Sequence, residues 1–192
     1  MLQFITVNNI EPSVVEQVRL AIEGGCGWIQ LSVDGLDLIQ QKKLAEEIIT
    51  LCQPNDVFLT IEHNVDLVEE LKVHGLHLFP GDMLPKEARE RLGAHAVVGV
   101  TIRNAEQVIS LRSADIDYVQ IGPYPDVTLD DYSKIVAAVQ EVGVKIPVVA
   151  TGNINPEDVK PLLATGVKGV GVSNPIALSG DIKEVVEKFL AV

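Results

Sequence analysis

Two short stretches near the end of the chain carry residue types suited to holding an anion. Ala150-Thr151-Gly152-Asn153 and Val172-Ser173-Asn174-Pro175 each place small and polar residues where a strand gives way to a helix. Backbone N–H groups and the positive end of a helix dipole favour phosphate in such turns. Gly152, Asn153, Ser173 and Asn174 are therefore candidate phosphate-binding residues. Tight turns with Ser or Asn as helix caps are the competing reading. Arg103 can add a guanidinium that grips phosphate or carboxylate through two parallel hydrogen bonds; a surface salt bridge is the alternative use for it.

A second group suggests proton chemistry. Glu62 and His63 are adjacent, and imidazole titrates in the range useful to a general acid or base. Successive strand residues point to opposite faces, however, so only one of the two is expected to enter the barrel, and His63 is a weak catalytic candidate beside Arg103. Asp82, in Phe79-Pro80-Gly81-Asp82, offers a carboxylate to a hard cation such as Mg2+, or a turn and capping group ahead of Leu84-Pro85. His77 is expected as a hydrogen-bonded core residue, with His74 and His95 at the opposite end. Cys26 and Cys52 lack metal-ligand spacing and read as buried thiols in a reducing cytoplasm.

The elements that must position these residues follow from periodicity. Runs rich in β-branched residues alternate with segments of helical period. The expected strands are 2–7, 28–33, 57–62, 76–79, 97–102, 118–122, 147–152 and 169–173, each followed by an amphipathic stretch. Glycines at 24–25, 75, 93, 143 and 166 are expected to end helices in the left-handed conformation. Pro123 to Asp130 is the longest expected turn. Eight units in 192 residues leave little more than a strand, a helix and two turns apiece, and no G-x-G-x-x-G fingerprint of an open sheet follows the first strand. The reading is one domain over residues 1–192, a single (β/α)8 TIM barrel of the α/β class. Its chemistry belongs at the carboxyl ends of the strands, where Gln30 and Thr101 also lie.

Composition agrees and excludes. Apolar residues make up 47% and aromatics only 4%, so the core must be aliphatic, as in a parallel sheet covered by helices. A formal charge of -12 without a basic cluster opposes nucleic acid. There is no signal-like leader and no apolar run near a membrane span, so the expected location is cytoplasmic. A homo-oligomer is left open.

The order of motifs resembles the thiamine phosphate synthase and thiazole tautomerase superfamily over nearly the whole chain. The similar segments are Phe4-Ile5-Thr6, Ile29-Gln30-Leu31, Gly75-Leu76-His77-Leu78 with Asp82, Gly99-Val100-Thr101, Asp117-Tyr118-Val119 through Gly122-Pro123, Ile146 to Ala150, and Gly169-Val170. The resemblance implies a barrel in which Mg2+ and basic side chains hold a pyrimidine diphosphate while a thiazole phosphate attacks. This chain departs from that pattern. Ser32 stands where the family has Arg, Asp34 where it has Lys, and Glu62-His63 where it has Asn-Asp; the loop carrying Thr and Lys shortens to Tyr124-Pro125-Asp126-Val127-Thr128. The tautomerase branch has a His at the position of Arg103.

Losing one preorganised charge stabiliser commonly costs about 2.7–4 kcal/mol of transition-state energy. The expectation is thus a divergent member that binds a small phosphorylated heteroaromatic ligand, with Gly152, Asn153, Ser173 and Asn174 on the phosphate, Arg103 adding charge, and Gln30 and Thr101 orienting the ring as substrate-binding residues. Mg2+ at Asp82 is expected only if synthase chemistry is retained. The alternatives are a working synthase and a non-catalytic barrel that binds a ligand or partner.

Overall fold

The computed structural model describes residues 1–104, 106–109, 114–141, 143 and 146–192. Eight parallel strands close into a barrel in chain order: β1 (Leu2–Ile5), β2 (Trp28–Leu31), β3 (Phe58–Glu62), β4 (Gly75–Leu78), β5 (Val97–Ile102), β6 (Tyr118–Tyr124), β7 (Val148–Gly152) and β8 (Gly169–Val172). Around them run α1 (Val14–Glu23), α2 (Leu38–Cys52), α3 (Val65–Leu71), α4 (Pro85–Leu92), α5 (Leu129–Glu141), α6 (Pro156–Ala164), the single turn α7 (Asn174–Ala177) and α8 (Ile182–Leu190). Pairing of Leu2 with Val170 and Phe4 with Val172 closes the cylinder. Among the described residues no helix is long and apolar enough to cross a membrane.

Local chemistry sets the helix ends. Ser13 caps α1 by accepting from the Glu16 N–H, and Asp37 and Gln40 form a reciprocal capping box on α2. Gly25 turns the chain after α1 at φ +91°. Gly75 is different from the expectation: Lys72 takes the left-handed turn after α3, and Gly75 lies inside β4. A Cβ there would sit 2.3 Å from the Val97 carbonyl oxygen, so glycine serves close strand approach instead. The long turn expected from 123 to 130 also shrinks, because β6 runs on to Tyr124 and α5 starts at Leu129. The amphipathic stretch expected after β5 falls partly outside the described residues; residues 106–109 form a short 3-10 turn.

Alternation along the strands separates two interiors. Phe4, Ile29, Leu31, Leu59, Ile61, Leu76, Val98, Val119, Ile121, Ala150 and Val172 are buried in the apolar core shared with the helices. Inside the cylinder the buried residues are instead mostly polar: Gln3, Gln30, Thr60, Glu62, His77 and Gln120, with Tyr118 and the apolar Val149. Branched aliphatics usually fill this space. Here every buried side-chain N or O among the described residues has a partner, which is the condition for a polar core to be tolerated. Gly99 makes the room, since a Cβ there would lie 2.0 Å from the Tyr118 ring.

Candidate functional site

The carboxyl ends of the strands surround a cavity of about 660 Å3. Gln30, Thr101, Arg103, Gly152, Ser173 and Asn174 all line it, so six residues far apart in sequence do share one mouth. The turns after β7 and β8 lie side by side, with Gly152 paired to Val172 across the ladder. Ser173 occupies the N-cap position of α7, yet its hydroxyl makes no capping bond. The ion pairs of the described residues engage Arg19, Arg89 and Arg91 but not Arg103.

Asn153 does not join them. Its N–H donates to the Tyr124 carbonyl at 2.9 Å, and its side chain is exposed outside the cavity. The cause is Gly152, which at φ +136° lets β6 approach so closely that a Cβ would meet the Tyr124 nitrogen at 2.3 Å. The amide expected to hold phosphate is thus spent on closing the barrel.

Beneath the mouth lies a ring of amides. Gln3 Nε2 donates to Gln30 Oε1 at 2.8 Å, and Gln120 Nε2 reaches both Gln3 Oε1 and Gln30 Oε1 at 2.7 Å. Gln30 Nε2 then donates to Glu62 Oε1 at 2.6 Å. Gln30, expected to orient a ligand ring directly, is fully buried and has protein partners at both ends of its amide. Its Nε2 also supports the Glu62 carboxyl beside it. The Glu62 carboxyl, only 3% exposed, lines the cavity. Burial raises its pKa above the usual carboxylate range, against hydrogen bonds from Gln30 and Ser32 that pull it down.

A second chain of bonds ends at Thr101. His77 pairs with the Tyr118 hydroxyl through Nδ1 and with Thr101 Oγ1 through Nε2, both at 2.8 Å. Burial pushes its pKa down to about 3, with the His63 charge adding, so the ring is neutral at physiological pH. His74 fulfils its expected far-end place, where Nδ1 accepts from the Leu59 N–H.

His63 breaks the strand rule. Its backbone turns left-handed at φ +62°, so the side chain leaves the alternation and stays at the rim beside Glu62. Nδ1 lies 2.8 and 3.0 Å from the two Asp82 oxygens, and the ring stacks on Phe79 at 4.7 Å. Nε2 faces Asp34 Oδ1 at 3.4 Å. A carboxylate that fixes one imidazole nitrogen leaves the other oriented for proton transfer.

Asp82 is occupied in this arrangement: besides His63 it accepts the Phe79 N–H at 2.7 Å. It therefore serves as turn and orienting group in this arrangement. The nearest metal-capable group is Asp34, Glu62 and His63, whose ligand atoms lie within 4.8 Å of one another. One of its three donors is an imidazole nitrogen, whereas Mg2+ takes oxygen ligands in octahedral geometry. Of this group, the Asp34 and Glu62 carboxylates alone offer Mg2+ the oxygen ligands it takes.

Sequence reading passed over Gln3 and Gln120, although a signal existed. Leu2-Gln3-Phe4, Ile29-Gln30-Leu31 and Val119-Gln120-Ile121 repeat an amide between two large apolar residues on three strands. Period-two alternation alone sends all three inward.

The likeness to known proteins spans this whole architecture. The family model described as thiamine monophosphate synthase matches residues 2–176. The thiamine-phosphate synthase of Bacteroides fragilis is 35% identical, the alignment covering 98% of each chain. That of Bacteroides thetaiotaomicron is 33% identical over 98% of this chain and 95% of its own. Among solved structures, thiamine phosphate pyrophosphorylase from Pyrococcus furiosus superposes with a TM-score of 0.89 at 28% identity, covering 99% of this chain and 93% of its own. This chain belongs to the thiamine monophosphate synthase family.

Proposed function

We propose that the barrel binds a singly phosphorylated heteroaromatic ligand of thiamine metabolism and acts on it by proton transfer, or carries it, without displacing a diphosphate. One observation supports this above the others: the two walls of the mouth have opposite character. Gly152, Ser173 and Asn174 after β7 and β8 form a side suited to one phosphate, with Arg103 after β5 on the same cavity to add charge, while Asp34 and Glu62 occupy the side where a diphosphate would need cations. His63, fixed by Asp82, and the buried Glu62 supply two groups able to give or take a proton at that second wall.

Ordinary synthase activity is the second reading. The naming of relatives at 33–35% identity over nearly their full length favours it. Coupled turnover of hydroxymethylpyrimidine pyrophosphate with thiazole phosphate, assayed with Mg2+, separates the two. The first reading expects turnover near background and a raised melting temperature with thiazole phosphate alone. Rapid product formation would make the second correct, and no shift with any phosphate would end the first.

A further inference from the structure

The two hydrogen-bond chains beneath the mouth join into one network whose donors run in a fixed direction. Gln30 Nε2 donates to Glu62 Oε1, which turns Gln30 Oε1 back into the barrel to accept from Gln3 and Gln120. Gln120 Nε2 also donates to Gln3 Oε1. Gln3 Nε2 has two hydrogens; one goes to Gln30, and the other is available to the Tyr118 oxygen, which both Gln3 and Thr60 hydrogen-bond. With its lone pairs taken in this way, the phenol gives its own hydrogen to His77 Nδ1 at 2.8 Å.

His77 is fully buried and neutral, so its ring carries a single N–H. Accepting at Nδ1 places that hydrogen on Nε2, 2.8 Å from Thr101 Oγ1. Thr101 Oγ1 accepts it, and among the described residues the hydroxyl has no other protein partner. Its hydrogen is left for the cavity that Thr101 lines. The opposite tautomer would reverse this, because Nε2 would then take the Thr101 hydrogen and the cavity would meet only lone pairs.

We infer that Tyr118 and His77 are positioning residues that fix Thr101 as a hydrogen-bond donor to the ligand, with Gln3, Gln30 and Gln120 setting the direction of the chain. The inference rests on the ligand site proposed above and says how one wall of it is held. A hydroxyl oriented in advance needs no reorganisation when the ligand arrives.

The first test needs no ligand. Long-range 1H–15N spectra of the 15N-labelled full chain at pH 7, with the His77 signals identified by their loss in His77→Gln, report the tautomer. The expected result is a neutral ring protonated at Nε2. Protonation at Nδ1, or an imidazolium, overturns the inference whatever the ligand does.

The second test is a double-mutant cycle read as calorimetric affinity for 2-(4-methylthiazol-5-yl)ethyl phosphate and for hydroxymethylpyrimidine phosphate. Tyr118→Phe removes the phenol oxygen and keeps the ring; Thr101→Val removes the hydroxyl and keeps the shape. Each should weaken at least one probe by about three- to tenfold, the size of one net hydrogen bond. Tyr118→Phe should cost nothing further in the Thr101→Val background, and Thr101→Ser should retain the parent affinity. A purely structural role for Tyr118 gives the same loss with and without the Thr101 hydroxyl, and that result overturns the inference. A Thr101→Val protein that binds both probes like the parent does so too. Should Tyr118→Phe not fold, the tautomer and the Thr101→Val comparison still decide. Failure of both probes to bind the unmodified protein removes the ligand site proposed above and this positioning role with it, even with the ring protonated at Nε2.

Discussion

Glu62 and His77 lie within the same cylinder, and burial moves their pKa values in opposite directions, each toward the neutral form. Glu62 ionises less readily folded than unfolded, so its contribution to stability falls as pH rises above the ordinary Glu range near 4.5. Glu62→Gln keeps an acceptor for Gln30 and removes that cost. The variant should unfold at higher urea than the parent at pH 8, and the gain should shrink toward pH 4. A lower midpoint at pH 8 would contradict the account.

His77 gives the opposite slope. The unfolded chain takes up its proton near pH 6.5, the folded one only near 3, so the folded state loses stability as pH falls through that window. The limit is about 1.4 kcal/mol per pH unit. His77→Gln should therefore cost stability at pH 7 and progressively less at pH 5 and 4, as followed by urea midpoints. A difference independent of pH would show that the histidine is not held neutral.

At the scale of elements, strands are placed by what their glycines leave out. Gly99 on β5 faces Tyr118 on β6, and the tyrosine in turn stacks edge-on with Trp28 at 4.9 Å and bonds to His77. Gly99→Ala should destabilise the protein by about 1–3 kcal/mol, as overpacking a filled core does. Because Trp28 is the only tryptophan, its fluorescence should shift in the same variant. An unchanged midpoint and spectrum would mean that the Tyr118 ring has other room. Gly152 acts similarly at the mouth, where its backbone geometry joins β6 to the turn after β7 and commits the Asn153 amide.

For the molecule as a whole, a ligand that binds only the folded barrel adds to its stability by mass action. A monophosphate at 100 times its dissociation constant should add about 2.7 kcal/mol, or roughly 2–4 °C per kcal/mol for a chain of this size. The scan should be run at fixed ionic strength, so that screening of the acidic surface does not imitate binding. Ser173→Ala combined with Arg103→Ala should reduce that shift to less than half; an undiminished shift would put the anion elsewhere.

Much of this architecture was legible in local pattern. Alternating β-branched and helical stretches specify eight strand–helix units, and their brevity favours a closed cylinder, because each property depends on neighbours within a few residues. The mouth was legible only as a roster of strand ends. Which residues meet there depended on register and closure: Gln120 bonds to Gln3 from 117 positions away, and no local period encodes that distance. The left-handed turn at His63 and the extension of β6 to Tyr124 were likewise settled by packing around them. Sequence by itself determined the barrel and the polar types at its rim. Tertiary structure alone decided that Asp34 and Glu62 would share one cavity with Gly152, Ser173 and Asn174, because only closure brings the ends of β2 and β3 around to those of β7 and β8.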